Sequence, residues 1–126
     1  MKKEIYSNKV PKPIGPYSQA IKSNNLIFIS GQIAIDIKEG KLIAKNIFEE
    51  TTIIMENIKN ILAASNCTFE NVVKSTIFLS DINVFDNINK VYEKYFSKPY
   101  PARETVEASR LPKNVNIEIS MIAISK

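Results

Sequence analysis

Histidine and tryptophan are absent from this sequence of 126 residues, and cysteine occurs once, at Cys67. Without histidine, the chain cannot supply an imidazole base, a histidine-based metal site or a Cys-His nucleophile pair. A single cysteine cannot form an intramolecular disulfide, so we interpret Cys67 as an inert thiol and expect a reducing, cytoplasmic environment. Arginine and carboxylate side chains therefore remain as the main candidates for chemistry.

Long apolar runs are absent too. The first ten residues carry charges but no apolar signal-peptide core, and no apolar run approaches the roughly 18 residues that a membrane span needs. We therefore expect a soluble protein without a targeting segment. The net charge is +4, but the lysines are scattered rather than clustered, which disfavours nucleic-acid binding.

No internal repeat, low-complexity tract or linker divides the sequence, so we expect one domain spanning residues 1–126. Hydrophobic periodicity predicts elements in the order β-α-β-α-β-β. The predicted strands are 26–35, 72–79, 102–109 and 115–125, and the predicted helices are 46–65 and 84–96. This order indicates an α/β, or α+β, sandwich with two helices on one face of a mixed sheet.

The last two predicted strands differ in character. Strand 102–109 follows a proline and carries three charged residues, which is typical of an edge strand. Strand 115–125 is apolar on one face and half apolar on the other, which is typical of a central strand whose second face is also covered. Because two helices cover only one face, we expect copies of the chain to cover the other.

Arg103 and Glu118 are the best chemical candidates in these strands. Arginine bonds a carboxylate bidentately and stays charged, while a glutamate within an apolar strand can relay protons. The alternative is structural, with Arg103 paired to Glu118 or Glu107 across the sheet and Tyr17 serving only for packing. Gly31 interrupts a predicted strand, which indicates a bulge or a close approach of another backbone or a ligand.

Several short motifs in a fixed order resemble the Rid family of reactive intermediate deaminases, also called YjgF-type proteins or the L-PSP endoribonuclease family. The motifs are Ile14–Ala20 (IGPYSQA), Ser30–Ile33 (SGQI), the segment 81–96, Pro101–Arg103 (PAR), Arg110–Lys113 (RLPK) and Ile117–Ile119 (IEI).

This resemblance implies a chorismate-mutase-like fold and a homotrimer with sheets inside, helices outside and a cleft at each subunit boundary. It also implies hydrolysis of 2-imino acids, such as 2-iminobutanoate and 2-iminopropanoate, to 2-oxo acids and ammonia. No cofactor and no metal are implied. The implied partners are small imino and oxo acids and other copies of the chain.

The resemblance also assigns roles to residues. Arg103 would hold the substrate carboxylate, and Glu118 would position or activate the water. The other implied substrate-binding positions are Tyr17, Ser30, Gly31, Asn89 and the main chain at Thr105. Glu104 stands where a small residue is usual, but as the neighbour of Arg103 in a strand it should point to the opposite face of the sheet.

Two other functions are compatible with the sequence. A non-catalytic regulatory trimer that binds small carboxylates would need Arg103 but not Glu118. A ribonuclease or RNA-binding protein is the second alternative, although the chain lacks histidine and shows no platform of aromatic and basic residues for stacking bases.

Overall fold

Two helices cover one face of a six-stranded mixed sheet in the computed structural model, which describes residues 1–126. The strands run in the spatial order β1-β2-β3-β6-β4-β5, and only β4 and β5 are parallel. The strands are β1 Lys2–Ile5, β2 Ala20–Ser23, β3 Leu26–Gln32, β4 Val72–Leu79, β5 Ala102–Glu107 and β6 Ile117–Ile124, and the helices are α1 Ile47–Ala64 and α2 Phe85–Tyr92. This architecture confirms the predicted fold class.

The sequence pattern missed the N-terminal hairpin of β1 and β2. Three of the four β1 residues are exposed and charged, so β1 has no apolar alternation that could mark it as a strand. Its pairing with β2 is what makes it a strand, because β structure depends strongly on tertiary context. The predicted second helix is also shorter than expected, since 3-10 turns at Ile82–Val84 and Glu93–Tyr95 flank α2.

The core lies between the helices and the sheet. Helix α1 begins after Asn46, whose side chain accepts a hydrogen bond from the Glu49 backbone N–H at 2.8 Å. That bond satisfies one of the free donors at the helix N-terminus. One face of α1 is fully buried against the sheet and consists of Ile54, Met55, Ile58, Ile61 and Leu62. None of the helices is long and apolar enough to cross a membrane.

Strand β6 is central and β5 lies at the edge, as the sequence predicts. In β6, Ile117 and Ile119 are fully buried under the helices, whereas the alternate residues lie on the second face of the sheet. That second face carries large apolar side chains that are exposed in the single chain, namely Leu26, Phe28, Val106 and Ile124. We call these four residues the apolar second face.

A buried carboxylate fastens α1 to the start of β6. Glu50, in the first turn of α1, is 1% exposed. Its carboxylate accepts hydrogen bonds from the backbone N–H groups of Asn116 (2.8 Å) and Ile117 (3.2 Å) and from the Asn116 side-chain amide (2.7 Å). Because hydrogen bonds to a charged group are among the stronger ones, this contact fixes the position of β6 relative to α1.

We expect Glu50→Ala to lower the free energy of unfolding by about 3 kcal/mol, because it leaves buried N–H donors without partners. Glu49→Ala is the matched control, since Glu49 lies in the same helical turn and its carboxylate has no such partners; its effect should stay within about 0.5 kcal/mol. Urea unfolding of both variants measures the difference. Equal losses would mean that the contact of Glu50 with β6 contributes little.

Candidate functional site

Arg103 lies on the helix side of β5, where residues of α2 hold its guanidinium. Its Nη1 donates to Asn89 Oδ1 at 2.8 Å. Its Cζ lies 5.2 Å from the centroid of the Phe85 ring and 4.9 Å from that of the Tyr92 ring. Both distances are within the range in which an aromatic ring attracts a cation. The guanidinium is therefore oriented by one amide and two aromatic rings.

No carboxylate of the chain neutralises Arg103. The sole salt bridge in the structure joins Lys74 and Glu104, and Glu107 accepts a hydrogen bond from the Ile82 backbone N–H at 2.9 Å. The alternative of an ion pair between Arg103 and Glu118 or Glu107 is therefore wrong for the single chain. A half-buried arginine without a carboxylate partner is unusual, because buried charges are normally paired.

Thr105 follows two residues after Arg103 in β5, so its side chain points to the same face. Its hydroxyl oxygen is buried without a hydrogen-bond partner. Because β5 pairs only with β4, the outer edge of β5 keeps unpaired backbone N–H and C=O groups. Arg103, Asn89 and Thr105, with that free backbone edge, form a group that we call the arginine group.

Glu118 lies on the opposite face of the sheet, packed against Gly31. A Cβ atom at Gly31 would lie 2.7 Å from Glu118 Cδ, so a side chain at position 31 would collide with the carboxylate. Gly31 falls within a register shift between β3 and β6, which confirms the predicted bulge, and the group that approaches it closely is the Glu118 side chain rather than another backbone or a ligand. Burial raises the pKa of Glu118, and no donor of the chain bonds its carboxylate.

Tyr17 lies in a loop beside Gly31, and both residues line one small cavity. Two contacts hold this loop. The Ser30 hydroxyl donates to the Ser18 carbonyl at 2.6 Å, and the side chain of Gln19, 2% exposed, bonds both the backbone N–H and the carbonyl of Ser7. The proton of the Ser30 hydroxyl is therefore already donated to the loop. Tyr17, Ser30, Gly31 and Glu118 form the glutamate group.

The structure divides the predicted site residues between two faces of one sheet. Arg103 is the register partner of Ser75, which is buried beneath α2, whereas Glu118 is the register partner of Phe78 on the second face. A small ligand bound to Arg103 therefore cannot reach Glu118 of the same copy through the sheet. Each chain therefore carries the arginine group and the glutamate group on opposite faces of its sheet.

Glu104 points away from Arg103, as the alternation of β5 predicts. It forms the salt bridge with Lys74 at 3.1 Å and accepts a hydrogen bond from the Thr76 hydroxyl at 2.5 Å. These contacts lower the pKa of the Glu104 carboxyl, with the Thr76 hydrogen bond as the largest cause and the bond to Lys74 next. This unusual residue thus lies on the second face of the sheet and outside the arginine group.

Sequence reasoning missed three residues that shape these groups: Phe85, Tyr92 and Gln19. Phe85 and Tyr92 belong to the apolar face of the second predicted helix, and periodicity cannot distinguish an aromatic ring that packs in the core from one that contacts an arginine. Gln19 lies inside the motif IGPYSQA, but only the folded loop reveals its buried hydrogen bonds. The chain has no cluster of three or more potential metal ligands.

Comparisons with known proteins identify the family. The model of the family described as Endoribonuclease L-PSP matches residues 7–125. A RutC family protein of Saccharolobus solfataricus is 50% identical to this chain, covering 98% of each. A human protein named 2-iminobutanoate/2-iminopropanoate deaminase is 42% identical, covering 98% of this chain and 90% of its own.

The fold leads to the same family. The crystal structure of E. coli TdcF with bound serine superposes with a TM-score of 0.91 at 35% identity, covering 98% of this chain and 99% of that one. The resemblance to Rid proteins that the motifs indicate is thereby confirmed. Because the family model and these relatives span nearly the whole sequence, the chain belongs to the endoribonuclease L-PSP family, whose members include the RutC and Rid proteins.

Proposed function

We propose that this protein hydrolyses 2-imino acids, such as 2-iminobutanoate and 2-iminopropanoate, to 2-oxo acids and ammonia without a cofactor. One observation carries the proposal: Arg103 is a half-buried, oriented guanidinium without a carboxylate partner in its own chain. A planar guanidinium held in this way is suited to bind the carboxylate of a small acid bidentately. The human relative named as a deaminase of two such imino acids supports the choice of substrate.

Glu118 supplies the proton chemistry in this proposal. Water attacks the imine carbon, and the carboxylate of Glu118 accepts a proton from that water. Glu118 then gives this proton to the nitrogen of the resulting carbinolamine. As the C–N bond breaks, the C=O bond forms and the hydroxyl proton passes back to Glu118, so that ammonia and the 2-oxo acid leave and Glu118 releases its proton to solvent. A protonated imine is already electrophilic, so one carboxylate that positions water and relays protons is sufficient.

The site needs two copies of the chain. Arg103 and Glu118 lie on opposite faces of the sheet, so we propose that the arginine group of one copy meets the glutamate group of the next. The apolar second face favours association of copies, because it exposes large apolar side chains that association would remove from water. A closed homotrimer with sheets inside, as the family resemblance implies, would contain three such sites.

Tyr17, Gly31, Asn89 and Thr105 complete the proposed site. Asn89 orients Arg103, while Gly31 leaves room for the Glu118 carboxylate. Tyr17, 47% exposed, would form a wall of the cleft. The free backbone edge at Thr105 would bond the end of the substrate away from the carboxylate.

We expect Arg103→Lys to reduce kcat/KM for 2-iminobutanoate at least about 100-fold while the melting temperature stays close to that of the wild type, because lysine cannot reproduce bidentate carboxylate binding. The assay generates the imine in solution and times the release of 2-oxobutanoate. Arg110→Lys, at the only other arginine of the chain, is the matched control. Activity of Arg103→Lys within about twofold of the wild type would assign Arg103 a structural role.

Glu118→Gln should lower kcat about 100-fold or more, since the amide can hold a water but cannot relay protons. Affinity for 2-oxobutanoate should change less than about fivefold, because Arg103 still binds the carboxylate. A protein that only binds carboxylates would release no 2-oxobutanoate above background in either form, and unchanged kcat in the variant would refute the mechanism.

The pH dependence gives a separate test. Glu118 accepts the proton only when ionised, so the rate falls as pH drops through its pKa. Burial raises that pKa, which places the rising limb of the wild-type rate above pH 4.5, the ordinary glutamate value. A pH profile of kcat/KM measures the limb. This rise of kcat/KM with pH should be missing from the residual activity of Glu118→Gln. If both proteins showed the same rise, the titration of a group other than Glu118 would cause it.

Mixed assemblies test whether two copies build one site. Co-expressed Arg103→Lys and Glu118→Gln chains are each inactive alone, but random assembly would combine an intact Arg103 with an intact Glu118 at about a quarter of the boundaries. We therefore expect the mixture to recover about a quarter of the wild-type activity. Light scattering should show that the mixed chains form a trimer. If the mixture stays inactive although both chains assemble together, each site is confined to one chain.

A further inference from the structure

Tyr92 touches Arg103 without being a candidate for substrate contact. It lies in the last turn of α2 and is 5% exposed, and its ring lies 4.9 Å from Arg103 Cζ. Phe85 and Asn89 contact the same guanidinium from the same helix. The spacings of four and three residues place Phe85, Asn89 and Tyr92 in one row along the helix face.

The guanidinium of Arg103 contacts three side chains of this row at once. Its Cζ lies 5.2 Å from the Phe85 ring centroid and 4.9 Å from the Tyr92 ring centroid. Asn89 lies between the two rings in the row and accepts the Nη1 hydrogen bond. Rotation of the guanidinium would therefore disturb one hydrogen bond and two ring contacts.

Tyr92 is itself held in place. Its hydroxyl donates to the Ser75 hydroxyl at 2.8 Å, and Ser75 is fully buried in β4. Ser75 is also the register partner of Arg103 in the sheet. Burial raises the pKa of the Tyr92 phenol, so the hydroxyl stays protonated and available as a donor at neutral pH. The orientation of the ring is thus tied to the strand next to β5.

We propose that Tyr92 is a positioning residue for carboxylate binding: the hydrogen bond to Ser75 holds its ring against Arg103, and the ring keeps the guanidinium in the orientation in which Asn89 accepts its Nη1 hydrogen bond. The inference rests on the proposed function for its ligand class, a small 2-oxo or 2-imino acid. It extends that function by assigning the affinity for the carboxylate partly to a side chain that never touches the ligand.

The first measurement follows the guanidinium directly. The chain contains two arginines, Arg103 and Arg110, so an arginine-labelled ¹⁵N NMR spectrum of the intact protein carries only two Nε–H signals, one for each guanidinium. We expect slow guanidinium rotation at Arg103 in the wild type and at least about tenfold faster rotation in Tyr92→Leu. Arg110 serves as the internal control. Unchanged rotation of Arg103 in Tyr92→Leu would overturn the inference.

The second measurement is binding of 2-oxobutanoate. Tyr92→Leu should raise Kd about tenfold through loss of the ring beside the cation, and Tyr92→Phe should recover affinity to within about threefold of the wild type. In the Arg103→Lys background, Tyr92→Leu should change Kd less than about twofold, because its effect passes through the guanidinium. Equal effects in both backgrounds would show that Tyr92 acts only through general stability.

Matched variants separate positioning from folding. Tyr95→Phe removes a similar phenol bond, to Glu56 of α1 at 2.7 Å, from a ring that is not one of the two against Arg103, and should leave Arg103 rotation and Kd unchanged. Ser75→Ala removes the hydrogen bond to the Tyr92 hydroxyl with little change in side-chain volume, and it should speed rotation of the Arg103 guanidinium about threefold. This variant keeps the test decisive if Tyr92→Leu fails to fold. Failure of Ser75→Ala to alter rotation would then refute the inference.

The two proposals fail in different ways. If Tyr92→Leu releases the guanidinium and weakens 2-oxobutanoate binding while the wild type hydrolyses no imine, the positioning role stands and the deaminase proposal falls. If imine hydrolysis depends on Arg103 but Arg103 rotates freely in the wild type, the deaminase proposal stands and the positioning role falls.

Discussion

The alternation of side chains along a β-strand decides where each candidate residue lies. In β5 it directs Arg103 and Thr105 beneath α2 and sends Glu104 to the other face. In β6 it buries the isoleucines on either side of Glu118 in the core and leaves that glutamate on the second face. The placement of the arginine and glutamate groups on opposite faces follows from this constraint, and it is why the proposed site draws on a second copy.

Buried polar contacts then place these side chains within their faces. Glu50 fastens the start of β6 just before Glu118, and Gln19 holds the loop that carries Tyr17. Such contacts are costly to break, because a buried polar group without a partner loses the hydrogen bonds that water would provide. The fold therefore uses buried hydrogen bonds to position the residues that we propose to meet the ligand.

The apolar second face would give the proposed assembly a physical cause. A single chain exposes large apolar side chains on the same face that carries Glu118. Their burial between copies would lower the free energy and would also remove the glutamate group from bulk water. Assembly and acid-base chemistry are coupled in this proposal, because the contact that completes the site also excludes solvent from Glu118.

The sequence by itself determined the helices, the four longer strands, the edge position of β5 and the central position of β6, because these depend on local periodicity and on charge. It also gave Arg103, Glu118 and Gly31 as candidates, since Glu118 and Gly31 stand out in apolar strands and all three lie in family motifs. Only the tertiary structure decided that β1 is a strand and that Phe85 and Tyr92 flank Arg103. Those facts depend on contacts between residues that are distant in sequence, and a local pattern carries no record of such contacts.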